Sequence, residues 1–265
     1  MLRRTAEWLR IGLATGILSF VVGCSTDRAP AIVDLTYDFD EQTIYWPTNK
    51  PFQWERTAWG PTPQGYWYAS ANFAASEHGG THIDAPVHFA EGGQTVGDIP
   101  IDRLVGPGIV LDVRMLCRDQ PDYEVQVADI TSWEARHGQI PGGTIVMVLT
   151  GWGPRWPDRR RYLGSDTPDV AGTLHFPGLS SDAATLLVQR AVRGVGIDTA
   201  SIDPGRSPDF PAHRVLNAAG VYALENVASL ERLPTKGATI LALPVKIRHG
   251  TGAPARIIAL VPTAP

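Results

Sequence analysis

The chain has 265 residues and a formal net charge of -4 at pH 7, with 23 Lys and Arg residues against 27 Asp and Glu residues. Nucleic-acid-binding proteins usually carry a clustered basic surface, and this charge balance excludes that class of partner. Hydrophobic residues make up 43% of the sequence and charged residues 19%, which favours a packed globular body and excludes extended disorder.

The first 23 residues have the layout of an export signal. Arginines at positions 3, 4 and 10 precede an uncharged apolar run over 11–22. This run is too short to span a bilayer, which needs about 20 residues, but it fits the apolar region of a signal peptide. The sequence therefore predicts a signal peptide over 1–23, with an uncleaved anchor as the weaker alternative.

The apolar run ends in Val-Val-Gly at 21–23 and then Cys24, which resembles the lipobox of bacterial lipoproteins. The resemblance implies that Cys24 is lipidated, that 24–30 is a tether and that 31–265 is a single domain. An ordinary signal peptide followed by a chance cysteine is the alternative. We expect an exported protein, anchored to the cell membrane by its lipid and facing the periplasm. Ser25 is not the Asp that favours inner-membrane retention, so the outer membrane is expected if the source is Gram-negative.

Beyond the tether, short runs rich in β-branched and aromatic residues outnumber the helical segments. Strands are predicted over 31–35, 66–74, 108–113, 144–150, 195–198, 238–243 and 256–261. Helices are predicted over 129–137, 180–192, 213–218 and 225–230. Because the strands are mixed with helices, we expect a mixed α/β domain with a substantial sheet or barrel-like core.

One segment after the second predicted strand concentrates groups that bind metals. His78, His82, Asp84 and His88 fall within 11 residues, and all four occupy even positions. Side chains alternate between the two faces of an extended chain, so these four can converge on one side. The two glycines and the proline inside the segment disfavour a helix. The pattern therefore predicts an extended segment that presents a metal site.

Imidazole nitrogens with a carboxylate oxygen suit zinc, manganese or iron(II) better than calcium or magnesium. Binding by all four groups would make a closed, structural site. Binding by three would leave an open position for a water molecule whose pKa falls to about 7, with the fourth group free to move protons. For any one of these histidines taken alone, a packed or surface role without a metal is the favoured interpretation.

The segment from His78 to His88 is similar to the HxGTHxDxPxH signature of the cyclase family, which includes bacterial kynurenine formamidases and isatin hydrolases. Further similarity is spread over the domain, at 34–36, 45–47, 195–199, 201–203, 213, 225–226 and 252–256. The resemblance implies a swivelling β/β/α fold with a mixed, barrel-like sheet core, which pairs as a homodimer or tetramer.

The resemblance also implies roles for particular residues. It assigns metal binding to His78, His82, Asp84, His213 and Glu225. Asp84 is then able to bridge two ions, His88 carries protons, and Trp46 lines the substrate pocket. Without the signature, His213 would be interpreted as a packed or capping residue and Glu225 as a helix N-terminal charge. The residues after Trp46 depart from the formamidase pattern, because Thr48 and Asn49 stand where that pattern has Gly and Asp.

Several other polar residues keep two interpretations. Asp198 and Asp203 either orient metal ligands or form turns. Arg256 either holds a carboxylate or pins a loop. The remaining histidines have no partners at ligand spacing and are interpreted as structural or surface residues: His137, His175 and His249.

We expect a metal-dependent hydrolase of the amide carbon–nitrogen bond in a small aromatic substrate, similar to an arylformamidase and using one or two Zn²⁺ or Mn²⁺ ions. An isatin-type lactam or another cyclic amide or ester is the alternative substrate. Kynurenine chemistry is normally intracellular, so export weighs against formylkynurenine. Outside enzymes, the alternatives are a solute-binding lipoprotein and a structural metal protein; a proton carrier at His88 argues against both.

Overall fold

Strands make up most of the regular structure in a computed structural model that describes residues 29–263. The strands are β1 (Ala31–Asp34), β2 (Gln53–Pro61), β3 (Trp67–Ala74), β4 (His82–Asp84), β5 (Val105–Asp112), β6 (Glu124–Val125), β7 (Ile145–Leu149), β8 (Gly178–Leu179), β9 (Gly194–Ile197), β10 (Tyr222–Glu225), β11 (Lys236–Pro244) and β12 (Gly252–Val261). The helices are α1 (Arg114–Cys117), α2 (Val127–His137), α3 (Arg159–Leu163), α4 (Ser181–Gln189) and α5 (Pro211–Ala218). The predicted signal peptide and Cys24 lie outside the described residues.

Seven of the strands form a closed ring in the order β12, β11, β5, β7, β9, β10 and β4, because β4 also pairs with β12. The neighbours β5, β7, β9 and β10 run parallel, whereas the pairings that involve β4, β11 or β12 are antiparallel. Strand β1 lies outside the ring against β12, and β2 and β3 form a separate hairpin. This architecture confirms the predicted mixed α/β fold with a barrel-like sheet.

Both faces of the central strand β7 are buried, which explains its uninterrupted apolar sequence. Ile145, Met147 and Leu149 belong to the cluster inside the ring. Val146 and Val148 belong to a second cluster that also contains apolar residues of α2, α4 and α5. The helices therefore cover the outer face of the parallel strands. Among residues 29–263, no helix is long and apolar enough to cross a membrane.

Each of the seven predicted strands overlaps a strand of the structure, but the helix predicted over 225–230 is wrong. Glu225 is instead the last residue of β10. Asn226 and Ser229 have positive φ angles of 53° and 55°, which a right-handed helix does not tolerate. The backbone amides of Val227 and Ala228 donate to carbonyls of neighbouring segments, so pairing across the sheet replaces the helical bonds.

Candidate metal centre

Strand β4 lies in the ring between β10 and β12 and carries two of the polar residues predicted from the signature. His82 is paired in register with Glu225 on β10 and with Pro254 on β12. Ile83 points into the core inside the ring, so His82 and Asp84 share the opposite face of this short strand. Glycine is required just before the strand, because Gly80 has a φ of +57° and a Cβ there would lie 2.6 Å from the Phe39 ring.

The first group of candidate ligands consists of His78, His82 and Asp84. His78 Nδ1 lies 2.6 Å from Asp84 Oδ1, and His82 Nε2 lies 3.3 Å from the same oxygen. One ligand atom from each of the three side chains falls within 4.8 Å of the others, an arrangement that could hold a metal ion. The convergence predicted from the even-numbered positions therefore holds for these three residues.

The structure brings two distant residues to the same place. His213 on α5 has its Nε2 atom 3.0 Å from Asp84 Oδ2 and 3.0 Å from Glu225 Oε1. Glu225 Oε2 lies 3.5 Å from His82 Nε2. All five residues that the resemblance assigned to metal binding thus meet in one cluster, with the two oxygens of Asp84 facing different histidines.

Hydrogen bonds fix the direction in which two of these imidazoles point. His82 Nδ1 lies 2.9 Å from the carbonyl oxygen of Gly80, and His213 Nδ1 lies 2.6 Å from Asp203 Oδ2. A hydrogen-bonded Nδ1–H makes Nε2 the nitrogen that could bind a metal, and in both residues Nε2 faces the carboxylates. Asp203 also accepts hydrogen bonds from the backbone N–H groups of Ala212 and His213. Asp203 therefore orients His213 as well as holding the first turn of α5.

The charge of the cluster fits a divalent cation. Asp84 and Glu225 are 1% and 5% exposed, and the ion pairs found for them in the described part of the chain involve only histidines. Burial alone would raise the pKa of Asp84, but the neighbouring His78, His82 and His213 hold it well below its usual value. Burial would likewise lower the pKa of His213, yet its hydrogen bonds to three carboxylates raise it well above normal. A bound divalent cation would neutralise Asp84 and Glu225 in place of the protons on the neighbouring histidines.

His88 lies beside the cluster, and its ring contacts another histidine of the cluster by stacking. It ends a 3-10 turn over Pro86–His88, and its ring stacks on that of His78 with centroids 3.9 Å apart. Burial, together with the neighbouring histidines and against the opposing effect of Asp84, lowers its pKa to about 4. His88 is therefore neutral at pH 7 and can accept a proton. It also forms a second group with Asp84 and His213 that could hold a metal ion.

A cavity of about 240 Å³ opens onto the cluster. Its walls outside the candidate ligands are aromatic or uncharged: Ile44, Tyr45, Trp46, Thr48, Asn49, Gly79, His88, Phe89, Ala200, Ser201, Phe210 and Asn226. Trp46 is in this wall, in edge contact with Phe210 at a centroid distance of 5.7 Å. Two residues of the wall, Phe89 and Phe210, were not among the predicted site residues. The first is adjacent to His88, whereas no local pattern marks the second.

Of the three residues that had two interpretations, Asp198 and Arg256 stabilise the fold, whereas Asp203 contacts the candidate ligand His213. Asp198 accepts hydrogen bonds from the backbone N–H groups of 150–152 and so holds the turn after β7. Arg256 donates from Nε to Asp34 Oδ1 at 3.0 Å and pins β1 to β12. The three other histidines lie apart from the cavity lining: His137 at the end of α2, His175 paired with Asp122, and His249 in a loop before β12.

Comparison with known proteins places this fold and cluster in a family. The family described as "Putative cyclase" matches residues 33–204. The isatin hydrolase of Roseibium aggregatum is 32% identical over 96% of this chain and 97% of its own, and the kynurenine formamidase of Salinibacter ruber is 32% identical over 86% and 96%. The structure of isatin hydrolase A from Labrenzia aggregata, bound to benzyl benzoate, superposes with a TM-score of 0.80 at 34% identity and covers 88% of this chain and 94% of its own.

The fold and the His/Asp cluster define a metal-dependent hydrolase that acts on an amide carbon–nitrogen bond. The chain belongs to the cyclase family.

Proposed function

We propose that the protein opens the ring of a small, neutral, aromatic cyclic amide, with isatin as the model substrate. The observation that carries this proposal is the chemistry of the cavity wall. Of the residues that line the cavity in the described part of the chain, none is Lys or Arg, and the one carboxylate is the candidate ligand Glu225. An N-formylkynurenine molecule carries an α-ammonium and an α-carboxylate group, and burying either one without a partner is costly. A neutral lactam avoids that cost.

The aromatic wall supports the same substrate class. The Phe210 ring contacts both Trp46 and Phe89, with centroids 5.7 and 5.4 Å apart, and the centroid of Phe89 also lies 4.6 Å from that of His213. Flat apolar side chains of this kind bind an aromatic ring by burial and by offset stacking. They would hold the substrate ring beside the candidate ligands, so the scissile amide lies at the metal centre. The named relatives act on substrates of this size and aromatic character.

Five residues would hold one or two ions of Zn²⁺ or Mn²⁺. His78, His82 and Asp84 Oδ1 form the first ligand set, and His213, Glu225 and Asp84 Oδ2 form the second. Asp84 would bridge the two sets, because its two oxygens face different histidines. A bound divalent cation would polarise the amide carbonyl and lower the pKa of the attacking water.

His88 would move the proton. Its neutral imidazole removes a proton from the attacking water as the new carbon–oxygen bond forms. It then returns that proton to the leaving nitrogen as the carbon–nitrogen bond breaks, which yields a free amine and a carboxylic acid. The acid releases the second proton of the water to solvent and becomes a carboxylate. The stacking of His88 on His78 keeps the ring beside the first ligand set during both transfers.

Turnover by the stripped and reloaded protein tests the substrate proposal. After removal of metal with a chelator and reloading with Zn²⁺ or Mn²⁺, kcat/KM for isatin should exceed that for N-formylkynurenine by at least about tenfold, because an unpaired buried charge costs more than 1.4 kcal/mol. The chelated protein should hydrolyse neither. A higher kcat/KM for N-formylkynurenine would contradict the proposal and favour an arylformamidase.

We also propose that the protein assembles as a homodimer or tetramer through the β2–β3 hairpin. The hairpin exposes a cluster of large aromatic side chains: Trp54, Trp59, Tyr66, Trp67, Tyr68 and Phe73. Trp54 and Phe73 are opposite each other in register and are 47% and 69% exposed. A groove beside them is lined by Phe39, Phe52 and Val245. An exposed apolar patch of this extent is typical of a protein–protein interface, and a second copy offers a matching one.

Charged substitutions in the hairpin test this assembly. We expect the double variant Trp54→Asp, Phe73→Asp to have the mass of a monomer by light scattering at micromolar concentration, where the unsubstituted protein is a dimer or tetramer. Met115→Asp, at an apolar position on α1 that is 70% exposed, is the matched control and should not change the mass. An unchanged mass for the double variant would exclude the hairpin as the interface.

The proposed location of the protein rests on the N-terminal sequence alone. The apolar run over 11–22 and the lipobox-like 21–24 support export and lipidation at Cys24, which would tether the hydrolase domain to a membrane on its periplasmic side. Mass spectrometry of the mature protein would show an acylated N-terminal cysteine if this proposal is right.

A further inference from the structure

Hydrogen bonds link His78 of the candidate metal centre to two further side chains, first Thr251 and then Glu77. His78 Nε2 lies 2.8 Å from Thr251 Oγ1, and Thr251 Oγ1 lies 2.6 Å from Glu77 Oε2. The backbone N–H of Thr251 donates to the same glutamate oxygen at 2.9 Å. Glu77 and Thr251 are 174 residues apart in sequence, so this contact is a product of the fold.

The direction of each hydrogen bond follows from the groups involved. A carboxylate can only accept, so the single hydroxyl proton of Thr251 is donated to Glu77. The hydroxyl oxygen can then only accept from His78, which requires a proton on Nε2. A neutral His78 with its proton on Nε2 has its free electron pair on Nδ1, the atom 2.6 Å from Asp84.

We propose that Glu77 and Thr251 are positioning residues that hold His78 in the Nε2–H tautomer, so that it binds the metal through Nδ1. This inference rests on the proposed metal centre and deepens it. His82 and His213 are held at Nδ1 and present Nε2, so the centre combines two opposite tautomers. The chain from Glu77 through Thr251 accounts for this difference, since it supplies an acceptor to the Nε2 side of one imidazole.

The backbone around Thr251 is built for this contact. The carbonyl oxygen of Thr251 accepts a hydrogen bond from the N–H of Ala85, directly after β4, at 2.9 Å. Gly252 follows, and a Cβ at that position would lie 2.5 Å from His78 Cε1. The His78 ring thus packs against the start of β12 at a distance that only glycine permits. The backbone N–H and C=O of Thr251 are therefore both hydrogen-bonded, which fixes the residue beside Glu77 and His78.

The matched substitutions Thr251→Val and Thr251→Ser separate the hydroxyl from the shape of the side chain. We expect Thr251→Val to weaken Zn²⁺ binding by the full chain by about 10- to 100-fold, measured by competition with a chromophoric chelator, since losing a hydrogen bond to a metal-ligating histidine has this effect. Thr251→Ser keeps the hydroxyl and should bind Zn²⁺ within about threefold of the unsubstituted protein. Equal affinity in the valine variant would overturn the inference.

A second measurement needs no variant. A long-range ¹H–¹⁵N correlation spectrum of the Zn²⁺-loaded protein distinguishes a protonated ring nitrogen from one that binds the metal. For His78 we expect the proton on Nε2 and the metal on Nδ1, and the reverse assignment would overturn the inference. Neither measurement involves a substrate. A protein that binds Zn²⁺ as described but does not hydrolyse isatin would therefore refute the proposed function and leave this inference standing.

Discussion

Replacing His88 with alanine should lower kcat of the metal-loaded protein by about 10²- to 10⁴-fold while leaving its metal content unchanged, because general acid–base catalysis contributes a factor of this size. His88 is neutral at pH 7, since burial and its histidine neighbours lower its pKa to about 4. It is thus in the form that accepts a proton from water. The measurement is kcat for isatin together with the metal-to-protein ratio by elemental analysis.

A second histidine variant is the control for His88→Ala, and a loss of metal would be the contrary outcome. His175→Ala removes a histidine that is paired with Asp122 on the surface and should leave kcat and metal content as they are. His88 also forms a possible ligand group with Asp84 and His213. If His88→Ala loses metal and activity together, then His88 is a ligand and the proton carrier must be sought elsewhere.

Local sequence pattern was sufficient where a strand is buried along its whole length. The central strand β7 is apolar throughout because both faces are buried, and its predicted bounds of 144–150 differ from the observed Ile145–Leu149 by one residue at each end. Strand β2 was missed for the opposite reason. Nearly all of its residues are exposed, so neither face of Gln53–Pro61 carries an apolar stripe that a period of two could reveal.

The helix predicted over 225–230 failed because tertiary contacts override a local signal. An acidic residue followed by apolar ones is typical of a helix start, but Glu225 ends a strand that pairs with β9 and β4. A tertiary contact also fixes the side chain of Glu225, because its Oε1 atom accepts a hydrogen bond from the backbone N–H of Ile202 at 2.7 Å. A residue whose conformation is set by three distant segments cannot be assigned from its own neighbours.

The candidate site divides in the same way. His82 and Asp84 share a face because an extended chain repeats its direction every two residues. His78 precedes the strand and joins them through the turn at Gly80, whose φ is +57°. His213 and Glu225 were found only through the family resemblance. Asp203 kept two interpretations, and Thr251 had no local signal at all, because their roles depend on contacts with His213 and His78 that only the folded ring creates.

Asp84→Asn should have the largest effect on metal binding, because Asp84 lies within 3.3 Å of ring nitrogens of His78, His82 and His213. Asparagine keeps the size of the side chain but removes the negative charge that both proposed ligand sets share. Removing one charge from a buried ionic cluster costs about 3–5 kcal/mol, which corresponds to roughly a hundred- to a few-thousand-fold loss in metal affinity. Chelator competition with Zn²⁺ measures this loss, and isatin turnover should disappear at metal concentrations that saturate the unsubstituted protein.

The matched control for this variant is Asp98→Asn, which makes the same chemical change at an exposed loop position where Asp98 accepts a hydrogen bond from Thr95. Its metal affinity should equal that of the unsubstituted protein. A comparison of Asp84→Asn with His213→Ala also distinguishes a centre with one ion from a centre with two. Asp84 would contribute one oxygen to each proposed ligand set, so Asp84→Asn would weaken the binding of both ions of a binuclear centre, whereas His213→Ala would weaken the binding of the second ion alone. Asp84→Asn protein that still binds Zn²⁺ with unchanged affinity would show that the carboxylate is not a ligand, and the cluster would then have to hold its cation through histidines and Glu225 alone.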